Sequence, residues 1–353
     1  MRITSSMLSK SFLWDVNKNL ERMEKAQKEI TSKKQIQVAS DDPVKAARIL
    51  KMRSYVSEAE QLNKNADDAS SWLEFCDTAL GSMGNTITDI DELITQASNG
   101  TYSEEDLLSI KAEITELKKG LLDLGNSSYN GRYVFAGFDT DSAPLETTST
   151  AIGDMTTYRG KYLSLGGVIS ASVSDADIES FVLANAGNRI SNSTESDEIL
   201  YKVGAANKVC INAEGHEIFG KDGSSLFDTL AKLEMALSGE TSYKKAVYSE
   251  GPPEAVTVEN CSLDISSLLT DIGEDFSRVL STRTKLGAKS SYIELVQNRL
   301  SGNTVTFTEL LSKNQDADYT ESSIKLSTAE TVYDASLAVG SRIIVKSLLD
   351  FLG

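Results

Sequence analysis

The dominant pattern along the chain is an apolar residue at every third or fourth position, sustained far beyond ordinary helix length. From Ile49 it continues through Met52, Val56, Ala59, Leu62, Ala66, Ala69, Leu73, Cys76, Leu80, Met83, Ile87, Ile90, Ile94 and Ala97. Alternating steps of three and four keep side chains on one stripe of a helix. Such a helix is about 75 Å long at ~1.5 Å per residue, and a stripe of that length needs a partner to cover it. A shorter run near the start reads Leu13, Val16, Leu20, Met23 and Ile30, and another reads Leu107, Ile110, Ile114, Leu117, Leu121 and Leu124. The last third repeats the pattern. Ile265, Leu268, Ile272, Val279, Leu286, Ile293, Val296, Leu300, Phe307 and Leu310 fall on heptad positions, with polar Asp275, Thr282, Lys289 and Asn303 between them. Ile324, Ala329, Val332 and Leu337 follow. The tail is amphipathic, with Ile343, Ile344, Leu348 and Leu352 set against Arg342, Lys346 and Asp350.

Between roughly 130 and 255 the period changes. The stretch NGRYVFAGFDT has a turn dipeptide, Asn130-Gly131, then Arg132 and the alternating Tyr133, Phe135 and Phe138, which predict a strand or hairpin. Residues 156–175 and 208–220 also read as strands with Gly- and Asn-rich turns. Leu226, Leu230, Leu233 and Leu237 align on one helix face, with Ser224 as candidate cap. SEGPPEA at 249–255 reads as a return linker. The layout predicts an α+β, mainly α chain: an elongated rod whose N- and C-terminal helices pack as a coiled-coil bundle, with a β-rich middle inserted at the far end. The expected division has terminal coiled-coil segments at 1–42 and 315–353. A helical core follows at 43–150 and 256–314, with a hairpin near 130–140, and a β-rich outer domain at 151–255.

The sequence QVASDDPVKAARIL places two carboxylates before a proline. Pro43 suits a first helical turn, where its missing N–H costs nothing. Asp42 is then the natural N-cap, and Asp41 adds negative charge near the positive helix end. A catalytic pair would need a cleft and further polar partners.

Composition narrows the function classes. The formal charge is −17 and no basic cluster offsets it locally, so nucleic-acid binding is not expected. Aromatics are only 7%, which suits long helices sharing narrow seams. Cys76, Cys210 and Cys261 are far apart and match neither a disulfide framework nor a zinc spacing. Cys76 falls on the long apolar stripe as a small hydrophobe. No apolar run reaches the ~18 residues of a membrane span, and the N-terminus lacks the pattern of a cleaved secretory signal. Any passage out of the cytoplasm is expected to proceed without one.

Enzyme chemistry finds little purchase. His216 is the one histidine. Glu214, His216 and Glu217 do not make a zinc-protease motif, because the position four residues on is Gly220. AEGHE reads as a turn between two strands. No nucleophile elbow or phosphate-cradling loop occurs. No catalytic, metal or cofactor site is expected.

Four stretches carry a resemblance: MRITSSM at the start, ITSKKQIQVASDDPVKAARI at 30–49, ITQASNGTYSEED at 94–106 and LLDLGNSSYNGRYVFAGFDTDSAPL at 121–145. They resemble the bacterial flagellar hook-associated protein 3 family, the second hook–filament junction protein of the flagellin superfamily. LSTAETVYDASLAVGSRIIVKSLLDFL is similar to that family's terminal helix, more loosely. The resemblance covers about 1–145 and 260–353, and 200–240 weakly. Ser40-Asp41-Asp42-Pro43 stands where flagellins usually carry Gly-Asp-Asp-Ala. NGRYVFAG replaces a more aliphatic stretch, and Asp89 and Asp91 stand where many flagellins place arginines. The three cysteines depart from the family's habit.

The resemblance implies a structural, non-enzymatic protein that forms a ring between the first junction protein and the flagellin filament. Its terminal helices would line the inner tube. It would be exported unfolded through the flagellar type III apparatus, with an export chaperone holding the C-terminal helix. The residues expected to carry assembly are Leu13, Val16, Leu20, Met23, Ile30, Ile343, Ile344, Leu348 and Leu352. The expected structural motifs are Asp41, Asp42 and Pro43 for the long-helix start, and Asn130, Gly131, Arg132 and Tyr133 for the hairpin. A flagellin-type filament subunit and a non-flagellar coiled-coil scaffold are the alternatives. An amphipathic end without its own mate is expected to be mobile in the isolated chain, roughly over 1–40 and 315–353. The competing reading pairs the two ends as an intramolecular coiled coil.

Overall fold

The structure is a computed structural model describing residues 5–99, 102–190, 198–204, 206–221, 223–249 and 255–349. The chain divides into two compact units, residues 1–61 with 299–353 and residues 62–298. Each is built on long helices.

In the first unit, α1 (Ser5–Ser32) ends in a connector and α2 (Pro43–Ser98) begins after it. The Asp42 carboxylate accepts hydrogen bonds from the Val44 and Lys45 N–H groups at 3.1 and 3.0 Å, and its carbonyl accepts from Ala46. Pro43 is the first helical residue, where no N–H is required. Asp41 turns the other way. Lys25 Nζ lies 3.1 Å from its Oδ1, and its Oδ2 accepts from the Gln37 and Val38 N–H groups at 3.4 Å. The hydrogen bond from Lys25 holds this carboxyl below its usual range.

The second unit is held by a seam between α2 and α7 (Ile265–Gln315). Ala66, Ala69, Leu73, Cys76, Leu80, Met83, Ile87, Ile90, Ile94 and Ala97 are all buried. From α7 come buried Leu268, Ile272, Val279, Leu286, Ile293 and Val296. The helices run antiparallel, as three cross-contacts fix: Gln297 to Asp67 at 2.8 Å, Arg283 to both Asp77 oxygens at 2.8 and 3.0 Å, and Phe276 over Gly84. Each buried Leu or Ile contributes on the order of 1.5–3 kcal/mol. Burial pushes the Cys76 thiol up to about 12, so it stays protonated and inert.

A third helix, α3 (Glu104–Gly125), starts with a capping box between Ser103 and Asp106. Its last residue is Gly125, where a side chain would run into Leu145 and Phe219, and Asn126 caps it. Then come β1 (Ser128–Tyr129) and β2 (Arg132–Tyr133), joined by Asn130 and Gly131, both in left-handed conformation (φ 52° and 77°). That is the turn an Asn-Gly pair favours. The alternation expected through Phe138 does not continue as strand. Val134, Phe135 and Ala136 are consecutive buried residues in turns, and Phe138 is 73% exposed.

The β-rich region contains small sheets. Strands β3 (Leu145–Thr150), β4 (Gly153–Tyr158) and β5 (Lys161–Tyr162) form an antiparallel meander. Strand β6 (Ile169–Ser170) is followed by a helix the sequence reading did not contain, α4 (Asp175–Asn185), capped by Ser174. Strands β7 (Leu200–Lys202) and β8 (Lys208–Cys210) pair with each other. Helix α5 (Gly215–Phe219) occupies the AEGHE segment, which is therefore not a turn between strands. Helix α6 (Leu226–Leu237) buries Leu226, Leu230, Leu233 and Leu237. Its cap is Ser225, one residue beyond the expected Ser224, and Asp228 completes the capping box. Strands β9 (Ser242–Ser249) and β10 (Ala255–Ser262) pair along their whole length, with Ala255 opposite Ser249. Residues 249–255 therefore join two strands of one hairpin. Strand β6 extends this sheet through β9. Helix α4 packs on the same hairpin, closing a core of Ile152, Leu165, Ile169, Ile178, Val182 and Ala246. The last helix, α8 (Tyr319–Leu349), belongs to the first unit.

Two heptad positions of α7 are polar and buried, Asp275 and Thr282. Asp275 accepts from Thr229 of α6 at 2.9 Å and from Arg278 at 2.8 Å. Burial nevertheless pushes its pKa up to about 6. The folded state thus holds this proton more tightly than the unfolded chain. Its contribution to stability is present below the unfolded value near 3.8 and is lost as pH rises toward 6. The full span is worth up to about 3 kcal/mol. We expect the melting temperature of Asp275→Asn, relative to the unmodified protein, to climb between pH 4 and pH 7. A gap independent of pH, measured by thermal melts in a buffer series, would refute this.

Candidate assembly interface

The residues expected to carry assembly lie on the terminal helices, which form the candidate functional surface. Helices α1 and α8 pair within the chain, the arrangement described above as the competing reading. Three contacts give an antiparallel register. Phe12 packs on Gly340, Asn19 Nδ2 donates to Ser336 Oγ at 3.3 Å, and Ser322 Oγ donates to Glu29 Oε2 at 3.4 Å. On α8 the half-buried and buried positions are Ser322, Leu326, Ala329, Tyr333, Ser336 and Gly340, in alternating steps of four and three. On α1 the corresponding positions are Phe12, Val16, Asn19, Met23, Ala26 and Ile30, in the same steps, with half-buried Leu20 and buried Glu29 beside them. This is heptad packing in which small and polar residues alternate with larger apolar ones. Gly340 is required because a Cβ there would overlap the Phe12 ring.

Further apolar side chains point away from the seam. Leu13 is 57% exposed, Trp14 61% and Ile324 63%, and Met7, Val332, Leu337 and Val339 are also exposed. Of the residues expected to carry assembly, Val16 is buried, Leu20, Met23 and Ile30 are half-buried, and Leu13 stands in solvent. Ile343, Ile344 and Leu348 lie on the last turns of α8, where only the backbone is described, and Leu352 lies outside the described residues. The sequence reading missed Phe12 and the small-residue face of α8. Their shared four-three spacing was the available signal, masked because Ser, Ala and Gly do not register as apolar.

The two connectors of this unit are stitched together. Gln35 N–H donates to the Gln315 carbonyl at 2.8 Å, and Ala317 N–H donates to the Lys33 carbonyl at 3.0 Å. Arg53 grips Gln315 Oε1 through two nitrogens at 3.0 and 2.7 Å. Asp318 accepts from the Thr320 and Glu321 N–H groups and starts α8 as Asp42 starts α2. The hairpin residues lie in the other unit. Tyr129 rests on Trp72 and Phe75 of α2 with ring centroids 6.0 and 5.5 Å apart, while Asn130, Gly131 and Arg132 are exposed and Tyr133 is half-buried.

The chemically suggestive groups resolve into structure. His216 Nδ1 lies 3.1 Å from Glu214 Oε2. Burial lowers the histidine pKa and Glu214 opposes that shift. No group of three or more His, Cys, Asp or Glu able to hold a metal occurs among the described residues. No helix among them is long and apolar enough to cross a membrane.

Long terminal helices pair within the first unit, and the β-rich region belongs to the second. Comparison with known proteins supplies the class. A family model for the bacterial flagellin N-terminal helical region matches residues 3–140. Flagellar hook-associated protein 3 of Escherichia coli is 22% identical over 320 residues, 90% of this chain and 89% of that protein. A flagellin of Clostridium tyrobutyricum is 23% identical over 90% of this chain and 92% of its own length. The solved structure of a flagellar hook-associated protein from Vibrio parahaemolyticus superposes with a TM-score of 0.56 at 15% identity, covering 78% of this chain and all of that one, which establishes the fold. The chain is thus similar over nine tenths of its length to a flagellar hook-associated protein 3, and its first 140 residues carry the match to the flagellin N-terminal helical region.

The seam makes a direct prediction. Gly340→Val should separate α1 from α8 and lower the helical circular dichroism signal of the full chain at 25 °C. The α2–α7 seam should keep its cooperative melt. An unchanged spectrum would show that the pairing does not depend on the Phe12–Gly340 contact.

Proposed function

We propose that this chain is an axial structural subunit of the bacterial flagellum that polymerises as a ring at the hook–filament junction and templates flagellin assembly. The observation that carries the reading is the division of labour on α1 and α8. Their mutual seam covers one face of each helix, with Phe12, Val16, Met23, Leu326 and Tyr333 in it, while Leu13, Trp14, Ile324, Val332 and Val339 remain exposed. Apolar side chains arrayed along paired helices call for neighbours to cover them. In a ring, adjacent copies supply those neighbours, and Leu13, Val16, Leu20, Met23, Ile30, Ile343, Ile344, Leu348 and Leu352 are the residues assigned to packing. Segments 1–42 and 315–353 form the inner tube in this reading, 43–150 with 256–314 the surrounding core, and 151–255 the outer domain. Asp41, Asp42 and Pro43 set the start of the core helix, and the Asn130–Tyr133 hairpin braces it.

The partners that follow are further copies of the chain, the first hook-associated protein on the hook side, flagellin on the filament side and an export chaperone for the C-terminal helix. The working location is the flagellum outside the cell, reached without a cleaved signal. The full-length likeness to a flagellin favours one second reading, a filament subunit.

Deleting the gene in the source bacterium separates the two. A junction role predicts bare hooks with flagellin shed into the medium. Hooks without filaments and with no flagellin produced would indicate the filament subunit. Intact filaments would refute both. Within the junction reading, Leu348→Asp should abolish incorporation while the helical melt of the purified chain stays unchanged. Normal filaments from that mutant would remove the tail from the interface.

A further inference from the structure

The second unit carries a knob and a hole with no role so far. The knob is Phe138. At 73% it is the most exposed large apolar side chain among the described residues. Its turn is fixed from both sides. The Tyr133 N–H donates to the Thr140 carbonyl at 2.9 Å, Gly137 supplies a left-handed φ of 69°, and Ser142 Oγ donates to Asp139 Oδ2 at 2.8 Å. A ring held out by such a turn gives up little freedom when it is covered. Beside it stand the exposed carboxylates Asp139 and Asp141. The hole lies on the seam of α2 and α7 and has a volume of about 90 Å³. Gly81, Gly84, Phe276 and Leu280 line it, and Phe276 and Leu280 are 36% and 49% exposed. Arg283 completes the wall. Asp77 takes its Nε and Nη2, and its Nη1 has no partner among the described residues.

The two features fit each other. The hole is far below the ~300 Å³ of an ordinary small-molecule site, so it suits a single side chain. Its apolar wall includes the Phe276 ring, against which a second phenyl ring packs well. The chain carries −17 overall, so two copies repel in general. Arg283 offers a cation at the hole to the acids that flank Phe138, which orients the approach. The hairpin and the Phe138 turn, joined by the Tyr133–Thr140 bond, lie on the α2 face that carries Phe75. Gly84 follows Phe75 by nine residues, about two and a half helical turns, and so faces the opposite way. A copy therefore cannot fill its own hole. We propose that Phe138 of one copy enters the hole on the next, with Asp139 beside Arg283. Knob and hole differ and lie on opposite faces, so the contact repeats head to tail from copy to copy and does not close a two-fold dimer. The second copy comes from the ring reading above, on which this contact rests, and none of the packing residues assigned there takes part in it.

The test is a blot for the chain in flagella isolated from cells making the unmodified protein, Phe138→Leu or Phe138→Asp. Phe138→Leu should be incorporated like the unmodified chain. Phe138→Asp should be incorporated roughly tenfold less or worse, the loss expected when an interface anchor is replaced by a charge. The melting temperatures of both purified variants should not move, because the residue is exposed. Equal incorporation of Phe138→Asp would overturn the contact. A second measurement leaves Phe138 and the apolar wall intact. Flagella carrying Asp141→Cys together with Thr88→Cys, treated with a short bismaleimide, should yield trimers and higher species that neither single variant gives. Cross-linking that stops at dimers, or no ladder from an incorporated double variant, refutes the head-to-tail contact. If the unmodified chain is missing from isolated flagella, the ring reading fails and the contact falls with it. An incorporated chain that tolerates Phe138→Asp sinks the contact alone.

Discussion

Covering one apolar stripe is the constraint on which the rest depends. A single α-helix of 56 residues has no stable existence in water with Leu73, Leu80, Met83, Ile87, Ile90 and Ile94 along one face. The chain answers with a helix from its other end. Between residues 62 and 298, α7 lies antiparallel on α2 and buries both stripes at once. This closure demands that distant segments of sequence meet, and everything between them must fit into an excursion that leaves and returns. Helices α3 and α6 and the small sheets are that excursion.

The same seam accommodates its own exceptions. Arg283 and Phe276 lie over Gly81 and Gly84 of α2, at 3.5 and 3.6 Å from where a Cβ would stand, which is ordinary van der Waals contact. Asp275 and Thr282 take polar groups into heptad positions, and Asp275 does so by reaching Thr229 on α6. A polar residue at a core position weakens packing but fixes register. Asp275 thus ties the β-rich region's main helix to one level of α7, at the cost of an acid held far from its ordinary pKa.

The pairing of α1 with α8 obeys a different balance. Its seam sets Ser322, Ala329, Ser336 and Gly340 among Leu326 and Tyr333, against Phe12, Val16, Asn19, Met23, Ala26 and Ile30, and two of its cross-contacts are side-chain hydrogen bonds. Leu13, Trp14, Ile324 and Val339 stand outside that seam in solvent. Paired helices with apolar side chains on their outer faces have surface left to cover.

The sequence by itself determined the long α2 stripe residue for residue, the heptads of α7, the aspartate–proline start of α2 and the Asn-Gly turn, because each is set by local spacing or by one residue's backbone preference. Four stretches of sequence also carried the family resemblance. Tertiary structure alone decided the partners and the faces. It chose the inner face of α1 and α8 and put Gly340 under the Phe12 ring, because a side chain there would overlap it. It made a helix of Gly215–Phe219 and of Asp175–Asn185, where short segments carry no readable period and neighbouring sheets supply the burial that stabilises them. It also brought Ser164 and Asp228 together, a meeting of loop and helix start that no spacing along the chain encodes.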